Sequence, residues 1–244
     1  MRRTVRGSAQ WNSNAAGGRK NGLSLLGELS ESALHELRRV GVQKSYSTGE
    51  RILVEKEPKD HAVFLLSGLA KVTISLTGST GEALLAIRVA GDVVGEMAAI
   101  ENVPRSATVT ACSDVDALVV DGGVLRDFLV SHPETALPFI RTVSRRLRKA
   151  NSWRVDFGEF PARVRLARIL SELAEEHGCA GVRSIVIGVK LTQTELAALA
   201  GLSLDTAQRA LAHLRKERII TTGNRRIEVL DGDRLRVMGL LPAR

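Results

Sequence analysis

Hydrophobic positions along this chain show three successive periods, and each marks a different kind of element. From Leu23 to Val40 the apolar residues Leu25, Leu26, Leu29, Ala33, Leu34, Leu37 and Val40 fall on one helical face, with Ser30 as an internal cap. From Val42 to Asp121 the pattern turns to short alternating or continuous β-type runs: Arg51–Val54, Ala62–Leu66, Val72–Leu76, Ala83–Val89, Thr108–Cys112 and Val115–Val120. The glycines at 49, 68, 78, 81 and 91 supply turns between them. So many short strands predict a closed or rolled antiparallel sheet, because an open one would leave exposed edges.

A third texture begins after His132-Pro133. Ile140, Val143, Leu147, Ala150, Arg154 and Phe157 repeat with alternating spacings of 3 and 4, the seam of a coiled coil. Such a seam wants a partner helix, and the simplest partner is a second copy of the chain; the alternative is a long helix lying on its own domain. Gly158 and Pro161 then give a hinge composition, since proline disfavours α geometry at Phe160 and suits the first turn of the next helix.

Composition narrows the functional classes. The 244 residues are 44% hydrophobic and 25% charged, with apolar runs too short to cross a bilayer and no signal-peptide core, so the expectation is a cytoplasmic protein and no membrane partner. Cys112 and Cys179 are far apart and the five histidines are scattered, which argues against a disulfide framework and any metal site. The net charge of +8 is uneven: residues 1–22, read as a disordered basic tail, carry +5, and residues 161–244 carry +5. Positive charge at both ends favours a polyanion.

The most specific stretch of the C-terminal third is TQTELAALAGLSLDTAQRALAHLRKE, Thr192 to Glu217. Apolar Leu196, Ala197, Ala200, Leu202, Ala207 and Ala210 sit where two crossed helices pack, Gly201 supplies the left-handed turn, and hydroxyl residues cap each helix. This is a helix-turn-helix. The candidate DNA contacts are Thr192 and Thr194, which open its first helix, and Ser203, Leu204, Asp205, Thr206, Gln208 and Arg209, at the end of the second that enters a major groove. Residues 219–230 read as two strands around a Gly223-Asn224 turn, a wing whose Arg225 and Arg226 would meet phosphate.

Ala90 to Ala111, AGDVVGEMAAIENVPRSATVTA, resembles the phosphate-binding cassette of the cAMP receptor protein/FNR family of bacterial transcription regulators, with GEM and PRSAT as the diagnostic pieces. The resemblance extends from Leu23 to Leu230. It implies an α+β chain: tail 1–22, β-roll 23–133, dimerisation helix and hinge 134–160, winged-helix DNA-binding domain 161–244. In the cassette, the planar fork of Arg105 can hold both free oxygens of a cyclic phosphodiester and Ser106 adds a hydroxyl donor. Glu96 can accept from a ribose hydroxyl, and backbone amides around Gly95, Met97 and Ala98 form a local anion site. Alternatively, Glu96 and Arg105 merely pair with each other to hold a loop.

Two departures from the family pattern matter. The positions that hold the base in cAMP-binding relatives, placed by Arg145-Arg146-Leu147, are here Ala150 and Asn151. Only Asn151 keeps a group matching the adenine edge, so adenine, guanine and no nucleotide all remain open. Relatives often show Ser-Arg-Glu-Thr in the recognition helix, where this chain has Ser203-Leu204-Asp205-Thr206; leucine can only touch a thymine methyl, so the operator should depart from the usual half-site while Arg209 is retained. The expected protein is a dimeric regulator of palindromic duplex DNA, modulated by a cyclic nucleotide such as cAMP or cGMP, with RNA polymerase as a candidate partner. Rival readings are a β-roll that binds no cyclic nucleotide and a nucleotide sensor acting on a protein partner. No P-loop, GxSxG elbow or metal cluster suggests an enzyme.

Overall fold

A computed structural model describes residues 24–76 and 81–242. The basic tail and the turn at Gly78 lie outside the described residues. The first helical face is not one helix: α1 (Leu25–Glu28) stops before Ser30 and α2 (Glu31–Val40) starts after it. Ser24 accepts from the Gly27 amide and Ser30 from the Ala33 amide, so each short helix has its own cap.

The β-roll follows as β1 (Val42–Tyr46), β2 (Arg51–Leu53), β3 (Ala62–Leu65), β4 (Leu69–Ser75), β5 (Glu82–Val89), β6 (Val93–Val94), helix α3 (Glu96–Glu101), β7 (Thr108–Ala111), β8 (Val115–Val120) and helix α4 (Gly122–Ser131). Two antiparallel four-stranded sheets, ordered β1-β8-β3-β6 and β2-β7-β4-β5, face each other. Strand β3 shows why its sequence is a continuous apolar run. Ala62 and Phe64 point to a cluster with α1, α2 and α4, while Val63 and Leu65 point into the roll against Ala70 and Val109. Strand β1 carries no such signal, because four of its five residues are exposed at a sheet edge.

A 3-10 turn at Pro133–Thr135 leads into α5 (Ala136–Glu159), which runs 24 residues, straight through Gly158. The stop falls at Phe160, held extended by Pro161. Beyond it come α6 (Ala162–His177), β9 (Gly178–Ala180), β10 (Ile185–Ile187), α7 (Gln193–Leu199), α8 (Leu204–Lys216), β11 (Ile220–Gly223), β12 (Arg226–Val229) and α9 (Gly232–Met238). The wing is therefore half of a four-stranded sheet, β11-β12-β10-β9. Its hairpin turn is Asn224-Arg225, with Arg225 at φ +52°, rather than Gly223-Asn224, because Gly223 still pairs with Arg226.

The two halves of the chain meet. Leu84, Ile87 and Val89 of β5 share one buried cluster with Leu196, Leu199 and Ala200, so the first helix of the helix-turn-helix rests on the β4–β5 hairpin. Lys71 Nζ, 2.6 Å from Glu195 Oε1, closes the edge of that contact. Burial opposes the ionisation of both partners, yet their mutual bond leaves Lys71 raised and, with Thr192, leaves Glu195 lowered from its ordinary value.

Candidate functional site

Gly95 is the pivot of the cassette. It sits between β6 and α3 at φ +75°, and a Cβ there would lie 2.5 Å from Arg105 Nη1 and 2.8 Å from Leu53 Cδ1. Only glycine admits both the backbone conformation and the guanidinium. Arg105 is 3% exposed; Nη1 donates to the Gly95 carbonyl at 2.9 Å and Nη2 to the His61 carbonyl at 2.5 Å. Its Nε is buried with no hydrogen-bond partner. Burial lowers the Arg105 pKa, against the pull of Asp60, Glu57 and Glu96. Burial also depresses His61, and Arg105 adds to that.

Glu96, 7% exposed, does not pair with Arg105. Its Oε1 accepts from Arg146 Nη1 of α5 at 2.5 Å, and Arg146 Nη2 donates to the Val93 carbonyl at 2.7 Å. The long helix is thus tied to the cassette by a residue that the sequence reading used only as a landmark. Ala98 is buried, whereas Met97 and Ser106 are exposed. Ala150 follows Arg146 by one helical turn, and both Ala150 and Asn151 are exposed.

The rest of the α5 seam is uncovered within the chain. Ile140 and Leu147 are each 60% exposed, and Val143, Ala150 and Arg154 are exposed with them. Phe157 is divided between roles: 42% exposed, its ring also faces Gly201, where a Cβ would stand 2.8 Å away. Trp153, absent from the seam pattern, packs instead against the winged-helix core.

In the reader domain, Thr192 and Glu195 complete a capping box on α7, Gly201 turns the chain at φ +61°, and Ser203 caps α8 through the Thr206 amide. Leu204, Asp205, Gln208 and Arg209 are exposed along α8, and Thr194 on α7 is exposed too. Asp205 and Arg209 form an i,i+4 ion pair at 2.8 Å, and Gln208 donates to Gln193 at 3.1 Å. A cleft of about 270 Å³ joins Thr192 and Gln193 to Asn224, Arg225 and Arg226 of the wing. Arg215, a residue the sequence reading passed over, braces α8 to the wing through Thr222 at 3.0 Å. Among the described residues there is no group of metal-ligating side chains, and no helix is long and apolar enough to cross a membrane.

A β-roll with a buried guanidinium and carboxylate, wired through one long helix to a winged helix-turn-helix, defines a transcription regulator with a sensing domain. Residues 43–132 match the cyclic nucleotide-binding domain and residues 164–238 the Crp-like helix-turn-helix domain. The chain is 31% identical over 193 residues to the CRP-like cAMP-activated global transcriptional regulator of Mycobacterium tuberculosis, covering 78% of this chain and 84% of that one. It belongs to the CRP/FNR family. FnrL, a transcriptional activator of Cereibacter sphaeroides, is 22% identical over 211 residues, 83% of this chain and 82% of that protein. Among solved structures, the c-di-GMP responsive regulator CLP of Xanthomonas campestris shares the fold with a TM-score of 0.72 at 17% identity, over 82% of this chain and 99% of that one. FixK2 of Bradyrhizobium japonicum does so at 0.69 and 23%, over 84% and 99%.

Proposed function

We propose that this regulator works in the cytoplasm as a homodimer on a two-fold symmetric operator, with its DNA affinity set by a cyclic nucleotide at Gly95, Glu96 and Arg105. The observation that carries this is the buried Arg105 Nε without an acceptor, in a guanidinium seated against Gly95 where any other residue would clash with it. A buried, unsatisfied charged donor is costly, and a cyclic phosphodiester is an acceptor of the right charge for it. Arg105 would hold the phosphate with Ser106 at the rim, Glu96 the ribose hydroxyl, and Asn151 the base. The M. tuberculosis relative, described as cAMP-activated, supports this class of effector. The apolar stripe of Ile140, Val143 and Leu147 supports pairing of α5 with a second copy.

Because Glu96 is tied to Arg146, an effector that engages Glu96 would compete for a contact between β-roll and α5. It thereby biases the helix that leads to the reader domain, provided it binds the DNA-competent arrangement more tightly. One observation favours a second reading, a β-roll without a nucleotide: both terminal nitrogens of Arg105 and the Glu96 carboxylate already have partners inside the chain. Calorimetry with cAMP and cGMP separates the two. Heat with either, lost in Arg105→Ala, is the expected result, and silence with both establishes the second reading.

A further inference from the structure

We propose that Arg163, on α6 and outside the helix-turn-helix, grips the phosphate backbone on the flank of α8 opposite the wing; this rests on the DNA-binding reading of α8. Side chains on α8 fall into three stripes by helical periodicity. Leu204, Gln208, Leu211 and Arg215 face α7 and the wing, as the Gln208–Gln193 and Arg215–Thr222 bonds and the lining of the wing cleft show. Thr206, Ala210 and His213 lie about half a turn round, with Arg209 at their edge, and these face the start of α6. Between them the stripe of Asp205 and Ala212 is exposed, the face free to enter a groove.

A helix seated in a major groove has a phosphate strand on each side of it. The wing arginines serve one side. On the other, a crevice of about 290 Å³ opens between α6 and α8, lined by Ala162, Arg163, Thr206, Arg209 and Ala210. Arg163 is exposed at its rim, and its Nη1 lies 3.4 Å from His213 Nε2. Other arginines nearby have partners: Arg168 pairs with Asp156, Arg209 with Asp205 and Arg234 with Glu217, while Arg165 donates to the Gly201 carbonyl. Among the described residues no carboxylate pairs with Arg163. Its contact is an imidazole nitrogen of His213 at 3.4 Å, a long contact that a phosphate oxygen displaces readily. The residue is thus a cation beside the reading helix with no counter-charge among the described residues.

The test is the salt dependence of duplex binding by the full-length protein. Each phosphate contact contributes about 0.9 to the slope of log K against log salt, so Arg163→Ala should flatten the slope by about 2 for a dimer. Affinity should fall by the same factor on the operator and on a random duplex, and Arg163→Lys should restore most of the slope. A slope unchanged in Arg163→Ala, or a loss confined to the operator, overturns the assignment while leaving α8 as the reader. A wild-type protein that binds no duplex overturns both.

Discussion

The Glu96–Arg146 pair joins the β-roll to the long helix, and its strength can be worked out. The carboxylate is 9% exposed and the guanidinium 20%. Removing one member of a fully buried pair strands the other and costs about 3–5 kcal/mol. Partial exposure of Arg146 lets some water reach the carboxylate, so Arg146→Ala should cost about 3 kcal/mol, the loss of the donor to Val93 included. For a chain of this size each kcal/mol lowers the melting temperature by about 2–4 °C, so the drop should be about 6–12 °C. Circular dichroism melts of wild type, Arg146→Ala, and Glu96→Gln combined with Arg146→Met measure it. The paired replacement should recover most of the loss, since removing both charges leaves none stranded. A melt of Arg146→Ala within about 2 °C of wild type, or a double variant no better than the single, refutes the reasoning.

Three further outcomes follow from the geometry. Gly201→Ala places a Cβ at φ +61° and 2.8 Å from the Phe157 ring, so it should destabilise the reader domain by about 1–2 kcal/mol in urea unfolding, more if the ring cannot move. Arg209→Ala should weaken operator binding by about 1–3 kcal/mol and relax preference at one base position in a selection assay, because its ion pair with Asp205, exposed on both sides, opens easily. Glu195 is held below its ordinary 4.5 in the fold, so its contribution is complete above 4.5 and disappears as pH falls through the lowered value. Lys71→Met should blunt that acid loss in pH-dependent melts, and an identical acid profile in the two proteins removes the bridge from the account.

Periodicity made α5, α7 and α8 legible: α5 through an apolar stripe that stays exposed within the chain, α7 and α8 through stripes that are buried and through caps visible in the sequence, Thr192 and Ser203 ahead and Gly201 between. Continuous runs such as Ala62–Leu65 were legible as strands for the opposite reason, being buried on both faces. Strands β1, β9 and β10 were not. β1 is nearly all exposed, and the other two have three residues each: β9 pairs only with β10, and β10 owes its other edge to β12, some 40 residues on. The break between α1 and α2 was hidden because Leu29 continues the apolar face across it. Within the site, Gly95, Glu96 and Arg105 stood out through their motif, but the partner of Glu96 lies 50 residues away and leaves no local mark. The bridge from Lys71 to Glu195 spans 124 residues and is equally silent in the sequence.

Helix α5 carries Arg146 near its middle and Phe157 near its end, and Phe157 rests on Gly201. Eleven residues of helix separate the two, about 16 Å along the axis. A turn of about 20° around that axis would sweep a ring tip about 6 Å off centre through about 2 Å. Close-packed surfaces do not follow such a sweep smoothly; they hold one seating until another is reached. Were an effector at the pocket to turn α5, the missing side chain at Gly201 would be the notch on a camshaft, converting torque into a discrete step of the reading head.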